Sequence, residues 1–359
     1  KVNSIKGVGA STAAITVNNT DGTCTANITN NLSNRNLIIN GAMQVAQRGT
    51  SSTSDGYHTV DRFRMAYGGE NEAPTQSQND VASGTTPYTL GFRKAFKITN
   101  GNQTSGAGAA DYIETIYNIE AQDIANSGWN YTSSSSFITL SFWCKSSVAQ
   151  NFFFFLKTSD GTAKQYPFQT GSLSADTWTK ITKTISGNSG LQFDNNVNEG
   201  LRIDFPVFYG TNKTNNSATV DQWANYNGVA RTPDQTSTWY TTNDATFEIT
   251  GVQLEVGSVA TDFEHRSFGQ ELALCQRYYL KRNYTDNIGT YFCQYVDTHR
   301  FAHEFFPCTM RDVPSITFTS TRSATAYKTS RDHAKFYTDL SYNSSTQANM
   351  SSAEYSAEL

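Results

Sequence analysis

A chain of 359 residues is long enough to bury a substantial core, and the length suggests two domains or one long β domain with attachments. A formal net charge of -4 and a pI near 5.8 argue against nucleic acid as the main partner, because phosphate binding needs clustered Lys and Arg. With 16% charged residues, 19 tyrosines, 22 phenylalanines and abundant Ser, Thr, Asn and Gly, the composition disfavours helices and suits strands joined by polar turns.

Lys1 to Asn36 is small, polar and weakly alternating, with Ala13, Ile15 and Val17 on one parity and Cys24, Ala26 and Ile28 on the other. Its apolar surface is too small to offset ordering entropy in isolation, so it reads either as a disordered tail or as an anchor that orders against sister chains or a larger assembly. The opening KVNSIKGVGASTAA has no apolar h-region, and no run elsewhere approaches the roughly 18 apolar residues of a membrane span. A soluble product released by another route is expected. The five cysteines, odd in number and without a CxxC pair, indicate no disulfide framework.

From Asn36 the pattern becomes that of a folded region. Leu37 to Ile39 predicts a short buried strand, Asn40-Gly41 a turn and Val60 to Met65 a second strand, with Asp61 and Arg62 as a structural charge pair. Further strands are expected at Gly91 to Thr99, Tyr112 to Ile119, Phe137 to Lys145, Asn151 to Lys157, Thr177 to Ser186, Leu201 to Tyr209 and Trp239 to Ile249. In FITLSFWCK, Ile138, Leu140, Phe142 and Cys144 line one face, as in a half-buried strand. The four phenylalanines Phe152 to Phe155 fit a strand covered on both faces, by a second sheet or by another subunit. The apolar parity flips between Phe247, Ile249 and Val252, Leu254, Val256, which predicts a β-bulge at Gly251.

Arg266 to Leu280 is the one helical stretch, with Ser267 and Gln270 spaced as a capping box and Phe268, Leu272, Leu274, Cys275 and Tyr278 as its apolar stripe. Strand patterns return at Thr290 to Val296, His299 to Phe306, Ser315 to Thr319 and Lys335 to Leu340. The organisation expected is all-β: an N-terminal attachment segment (1–36), a jelly-roll β-sandwich (37–265), a linking helix (266–280) and a smaller C-terminal β-sandwich (281–359) as the receptor-binding tip.

The chemistry-bearing residues favour binding over catalysis. Glu248 and Glu255, with Asp262 and Glu264 on the following corner, could supply the carboxylate pair of a glycoside hydrolase, but sequence spacing does not set their separation. His299 and His303 lack a third metal ligand, and no nucleophile elbow or phosphate-cradling glycine motif occurs. No metal or cofactor is expected. Aromatic residues flanked by amides are the better signal, since a ring can stack on a sugar while Asn hydrogen-bonds its hydroxyls. The candidates are Trp129 and Tyr131, Trp223 and Tyr226, Trp239 and Tyr240, and near the C-terminus Tyr327, Arg331, His333 and Tyr337.

GVQLE at Gly251 to Glu255, Gly257, ATDFE at Ala260 to Glu264 and LALCQRYY at Leu272 to Tyr279 together resemble a segment of bacteriophage tail-fibre and receptor-binding proteins of marine and cyanobacterial phages. NLIINGAM at Asn36 to Met43, QRG at Gln47 to Gly49 and VDRF at Val60 to Phe63 resemble the opening of the same module, and the ending Ala357-Glu358-Leu359 resembles the close of such fibres, which suggests the natural end of the chain. The resemblance implies a jelly roll similar to carbohydrate-binding modules, a homotrimer, attachment to the phage tail or baseplate through the N-terminus, location in the virion and adhesion to a host-surface glycan without enzymatic activity. A secreted carbohydrate-binding module of a polysaccharide-acting enzyme and a tail depolymerase are the alternatives.

Overall fold

The computed structural model describes residues 35–283, 294–296, 299–320, 325–339 and 350–359, and of the first 34 residues 4–6, 8, 15–17, 20 and 24–26. In chain order the first strands are β1 (Ser4–Ile5), β2 (Ile15–Val17), β3 (Cys24–Ala26), β4 (Ser51–Ser52), β5 (Phe63–Gly68), β6 (Thr75–Asp80), β7 (Lys94–Thr99) and β8 (Tyr112–Glu120). They continue as β9 (Phe137–Ser146), β10 (Asn151–Thr158), β11 (Lys164–Ser172), β12 (Thr179–Ser186), β13 (Glu199–Tyr209), β14 (Ala224–Asn225) and β15 (Thr246–Val256). The last are β16 (Tyr279–Asn283), β17 (Gln294–Val296), β18 (His299–Phe305), β19 (Ser315–Ser320), β20 (Thr325–Thr329), β21 (His333–Asp339) and β22 (Met350–Ser356). The helices are short: α1 (Thr86–Thr89), α2 (Ala121–Ala125), α3 (Thr238–Thr241) and α4 (Phe268–Gln276). The fold is all-β, as the composition requires.

Two six-stranded antiparallel sheets, ordered β14-β11-β10-β13-β8-β5 and β12-β9-β15-β7-β6-β4, face one another. Strict alternation builds the layer between them, because every second residue of a strand points to the same face. Ile138, Leu140, Phe142 and Cys144 of β9 meet Phe152, Phe154 and Leu156 of β10 and Leu201, Ile203 and Phe205 of β13 in one core. The Phe142 ring lies 6.0 Å from Phe154 and 5.3 Å from Phe205. Each such ring contributes on the order of 1.5–3 kcal/mol by leaving water.

The phenylalanine run is covered on both sides by its own chain. Phe152 and Phe154 enter the core, whereas Phe155 points out of the sandwich and is buried beside Tyr209, whose ring lies 6.4 Å away. The bulge predicted at Gly251 is present: the register of β15 against β9 shifts between Thr250 and Gln253, and Gly251 has φ +63°. A Cβ at that position would lie 2.6 Å from Phe92 Cζ, so glycine is required sterically as well as conformationally.

Several expectations are corrected. Leu37 to Ile39 is not a strand; the Asn36 side chain replaces a ladder there, donating to Val252 O and accepting from Leu254 N at 3.1 and 3.0 Å. Trp239 and Tyr240 begin no strand but form the single turn of α3. β6 and β11 have no expected counterpart, since TQSQND is wholly polar and β11 carries Pro167. Helix α4 has the capping box, with Ser267 N donating to Gln270 Oε1 at 3.0 Å, but its stripe is rotated. Glu271 and Cys275 are buried, while Phe268 and Leu274 face solvent, because Glu271 accepts the backbone N–H of Asn40.

After α4, β16-β22-β19 form one sheet and β17-β18-β21-β20 another, around Leu280, Phe336, Ala353 and Tyr355. The rings of Phe318 and Phe336 meet across them at 5.2 Å. Part of the strand expected at Thr290 to Val296 lies outside the described residues. The three short strands β1, β2 and β3 pair into a small sheet of their own.

Arg62 ties these parts together. It is 1% exposed, with φ +73°, and its guanidinium donates to Glu358 Oε2 and to Asn118 O, both at 2.6 Å, while lying 3.4 Å from the Tyr278 ring centroid. Arg48 adds a second cation to Glu358 at 3.2 Å and lies 3.5 Å from the Tyr279 ring centroid. Arg311 donates to Ala357 O at 2.7 Å and Glu358 O at 3.0 Å. Removing one partner of a buried pair strands the other charge, so Glu358→Ala is expected to lose about 3 kcal/mol or more of stability in urea unfolding. Breaking the exposed pair of Lys94 and Asp80 should cost less than about 1 kcal/mol. Equal effects for the two would contradict this account of the joint.

Candidate functional site

On the first sheet, the parity opposite to the core carries charge and aromatic rings. Phe155 and Lys157 of β10, Arg202 and Asp204 of β13, and Tyr112 and Glu114 of β8 share the outer face, and a register shift between Pro206 and Phe208 turns Tyr209 outward beside them. The segment from Gly210 to Gln235 folds back along this face: Asp221 N donates to Pro167 O, Tyr226 N to Ala163 O and Gln235 Nε2 to Phe153 O.

The floor is a fixed polar network. Arg202 Nε donates to both Asp204 carboxylate oxygens at 2.8 Å, and its Nη2 lies 3.6 Å from Glu114 Oε2. Tyr209 Oη donates to Glu114, and Arg231 Nη1 donates to Tyr209 Oη at 3.4 Å. Asp204 is 0% exposed, and burial raises its pKa well above the usual carboxylate range despite Arg202. Burial opposes the Arg202 cation, but Asp204 and then Glu114 outweigh it and hold its pKa above the ordinary value. Burial, reinforced by Glu114, also pushes the Tyr209 phenol up.

Above the floor lie half-buried groups. Lys157 Nζ is 5.2 Å from the Tyr226 ring centroid, and Lys213 Nζ is 4.1 Å from that of Tyr112. A hollow of about 180 Å³ opens beside Tyr209, lined also by Gly108, Thr211, Thr214 and Asp234. A larger hollow of about 620 Å³ flanks α4, but its Arg277 is committed to Glu120 at 2.7 Å and its Arg266 donates to Asn36 O at 2.5 Å.

The sequence-derived candidates fall in different places. Trp239 and Tyr240 are fully buried, Tyr240 stacked on Phe208 at 4.4 Å, and Trp129 is buried against Phe193; these three are core residues, which corrects their assignment to ligand contact. Tyr131 packs edge-on against Phe193 at 5.0 Å. Trp223 closes the sandwich edge, donating its Nε1 hydrogen to Ser186 O at 2.8 Å while its ring meets Tyr166 at 5.2 Å. Of the expected residues whose side chains are described, Tyr226 alone reaches the outer face. Arg331 is half-buried and donates to Met310 O at 2.8 Å, and His333 Nδ1 hydrogen-bonds Ser330 Oγ at 2.9 Å. The side chains of Tyr327 and Tyr337 lie outside the described residues.

The glutamates at the β15 joint are structural. Glu255 is fully buried and accepts from Thr261 N at 2.8 Å, Glu248 is paired with Lys145 at 3.0 Å, and Glu264 accepts from Asn36 N at 2.9 Å. Among the described residues no group of three His, Cys, Asp or Glu is placed to hold a metal ion. The outer face of the second sheet carries Trp143 and Trp178, packed on a satellite cluster with Val81, Phe92 and Ala95. Sequence reading missed Arg202, Asp204, Tyr209, Lys213 and Arg231, although the outward parity of Arg202 and Asp204 within RIDF was a usable signal.

No protein-family model matches the chain, and no curated protein matches it. Among solved structures it is similar to the enzymatically active domain of bacteriophage CBA120 tailspike protein 4, at 11% identity over 62% of this chain and a TM-score of 0.33. The chain spans 21% of that tailspike chain. It is also similar to the N-terminal cellulose-binding domain of Cellulomonas fimi β-1,4-glucanase C, at 9% identity, 60% of this chain, 99% of that one and a TM-score of 0.27. A family 11 carbohydrate-binding module from Clostridium thermocellum, in complex with a β-1,3-1,4-mixed-linked tetrasaccharide, gives 14% identity, 59% of this chain, 98% of that one and 0.27. Likenesses of this size carry no argument about function.

The network makes a pH-dependent prediction. Without Arg202, the buried Asp204 carboxyl has no cation, and a carboxyl whose folded pKa exceeds its unfolded value of about 3.9 loses its stabilising contribution as pH rises through the folded value. Arg202→Met is therefore expected to cost about 3 kcal/mol near pH 8 and distinctly less near pH 5, in urea unfolding. An equal loss at both pH values would contradict the arrangement.

Proposed function

We propose that this chain is a non-catalytic, glycan-binding adhesin of the phage tail-fibre type, and that the outer face of the β10, β13 and β8 sheet is its binding surface. The observation that carries the reading is the placement of half-buried Tyr112 and Tyr226 beside the ammonium groups of Lys213 and Lys157, over a buried hydrogen-bonded floor. Rings of this kind stack on the C–H face of a sugar, and fixed polar groups select its hydroxyls and substituents. Support for a virion role comes from the tail-fibre-like stretches at Asn36 to Met43 and Gly251 to Tyr279.

A depolymerase reading is weaker on this face. Hydrolysis of a glycosidic bond needs two carboxyl groups that reach opposite sides of it. Asp204 is closed off beneath Arg202, and Glu114 is buried under Tyr209. In the proposed role the chain works as a homotrimer attached to the tail or baseplate through its N-terminal segment, where several weak sites add by avidity.

Loss of one stacking ring costs about 1 kcal/mol, roughly a fivefold change in affinity. Tyr226→Ala is expected to weaken glycan-array or host-cell binding by about that factor per site, with the fold retained. Tyr226→Ala binding like wild type while Trp178→Ala fails would move the site to the opposite sheet. Native mass measurement should give three chains, and a monomer would favour a secreted carbohydrate-binding module instead.

A further inference from the structure

Half-buried cations on the large sandwich are generally paired: Lys145 with Glu248 at 3.0 Å, Lys157 with Glu199 at 3.7 Å, Arg266 with Glu264 at 3.3 Å. As with Lys97 and Lys164, this does not hold for Lys213 and Arg231. Both are half-buried, and among the described residues neither forms an ion pair. They are held side by side by the backbone, with Arg231 N donating to Lys213 O at 2.9 Å and Thr214 bridged in parallel to Thr232. The Lys213 ammonium lies over ring faces, 4.1 Å from the centroid of Tyr112 and 5.9 Å from that of Tyr209. Arg231 uses Nε on Gly228 O at 3.2 Å and Nη1 on Tyr209 Oη, which leaves Nη2 without a hydrogen bond. Of the carboxylates on this face, Glu114 is engaged by Tyr209 and Arg202, and Asp204 by Arg202.

We propose that Lys213 and Arg231 form an anion site, and that the glycan taken by this face is acidic, its carboxylate or sulfate shared by the two cations. This deepens the adhesion reading above and rests on it. Two like charges held together out of full solvent repel, and an anion placed between them relieves that cost while making charge-assisted hydrogen bonds. The same stress shows in Lys213, whose pKa is lowered first by burial and then by Arg231. An extended phosphate backbone is the wrong partner, because it calls for a track of cations and this protein carries net negative charge.

The test uses the full chain and an array of oligosaccharides matched in backbone: galacturonate oligomers, 6-sulfated galactose oligomers and neutral galactose oligomers. Wild type is expected to prefer the anionic members at least tenfold, with the preference falling as salt rises. Lys213→Met and Arg231→Met should each abolish that preference while neutral binding persists, and Lys213→Arg should restore it. Preference for the carboxylate arm or the sulfate arm identifies the anion. Anionic members bound equally by wild type and both Met variants would overturn the anion site and leave the adhesion reading intact. A wild type that binds neither anionic nor neutral members, and does not adsorb to cells, would overturn both.

Discussion

A buried guanidinium organises this protein. Arg62 can be taken out of water only because Glu358, the Asn118 carbonyl and the faces of Tyr278 and Tyr117 surround it. Those partners come from three parts of the chain distant from the start of β5: the end of β8, the residue pair after α4 and the C-terminal residues. Satisfying one charge therefore fixes the large sandwich, the helix and the last strand against one another. Arg48, Arg277 and Arg311 repeat the device around it, each bonding a group distant in sequence. The left-handed backbone at Arg62 shows that the side chain's position takes precedence over local conformational preference.

With the joint fixed at one end of the first sheet, the rest of its outer face is free for other use. The alternation that sends Leu201, Ile203 and Phe205 into the core necessarily sends Arg202 and Asp204 outward. The chain covers these with the segment from Gly210 to Gln235, buries Phe155 and Asp204, and leaves Tyr112, Tyr226, Lys213 and Arg231 half-buried at its rim. Position and polarity of the face are thus a by-product of core formation combined with one long return segment. The network beneath it is hydrogen-bonded throughout, which gives a rigid floor on which weakly held rim groups can discriminate between ligands.

What the sequence made legible follows the physics of each signal. Period-2 alternation is local, so β8, β9, β10, β12 and β13 were placed within a few residues, and the flip in apolar parity located the Gly251 bulge. Wholly polar β6 and proline-bearing β11 carry no such signal and are strands only because neighbours supply their ladders. Helix α4 was found from its cap, yet its buried face was misassigned, because a hydrogen bond from Asn40 to Glu271 outweighed the exposure of two apolar side chains. Trp129, Trp239 and Tyr240 are core residues for a related reason. Tryptophan beside asparagine marks a loop, but whether the ring points inward depends on the core available beneath it, and Trp239 and Trp129 both had one. The pairing of Lys213 with Arg231 depends on a backbone hydrogen bond across 18 residues of chain, and nothing in the local sequence announces it.

The claim on which the account depends is that ligand meets the outer face of the β10, β13 and β8 sheet. A crystal structure grown with an acidic oligosaccharide tests it most directly. The account predicts sugar density along Tyr226, with the anionic substituent within hydrogen-bond reach of Lys213 Nζ and Arg231 Nη2. Density over Trp143 and Trp178 on the opposite sheet, or at the C-terminal strands around His333, would contradict it.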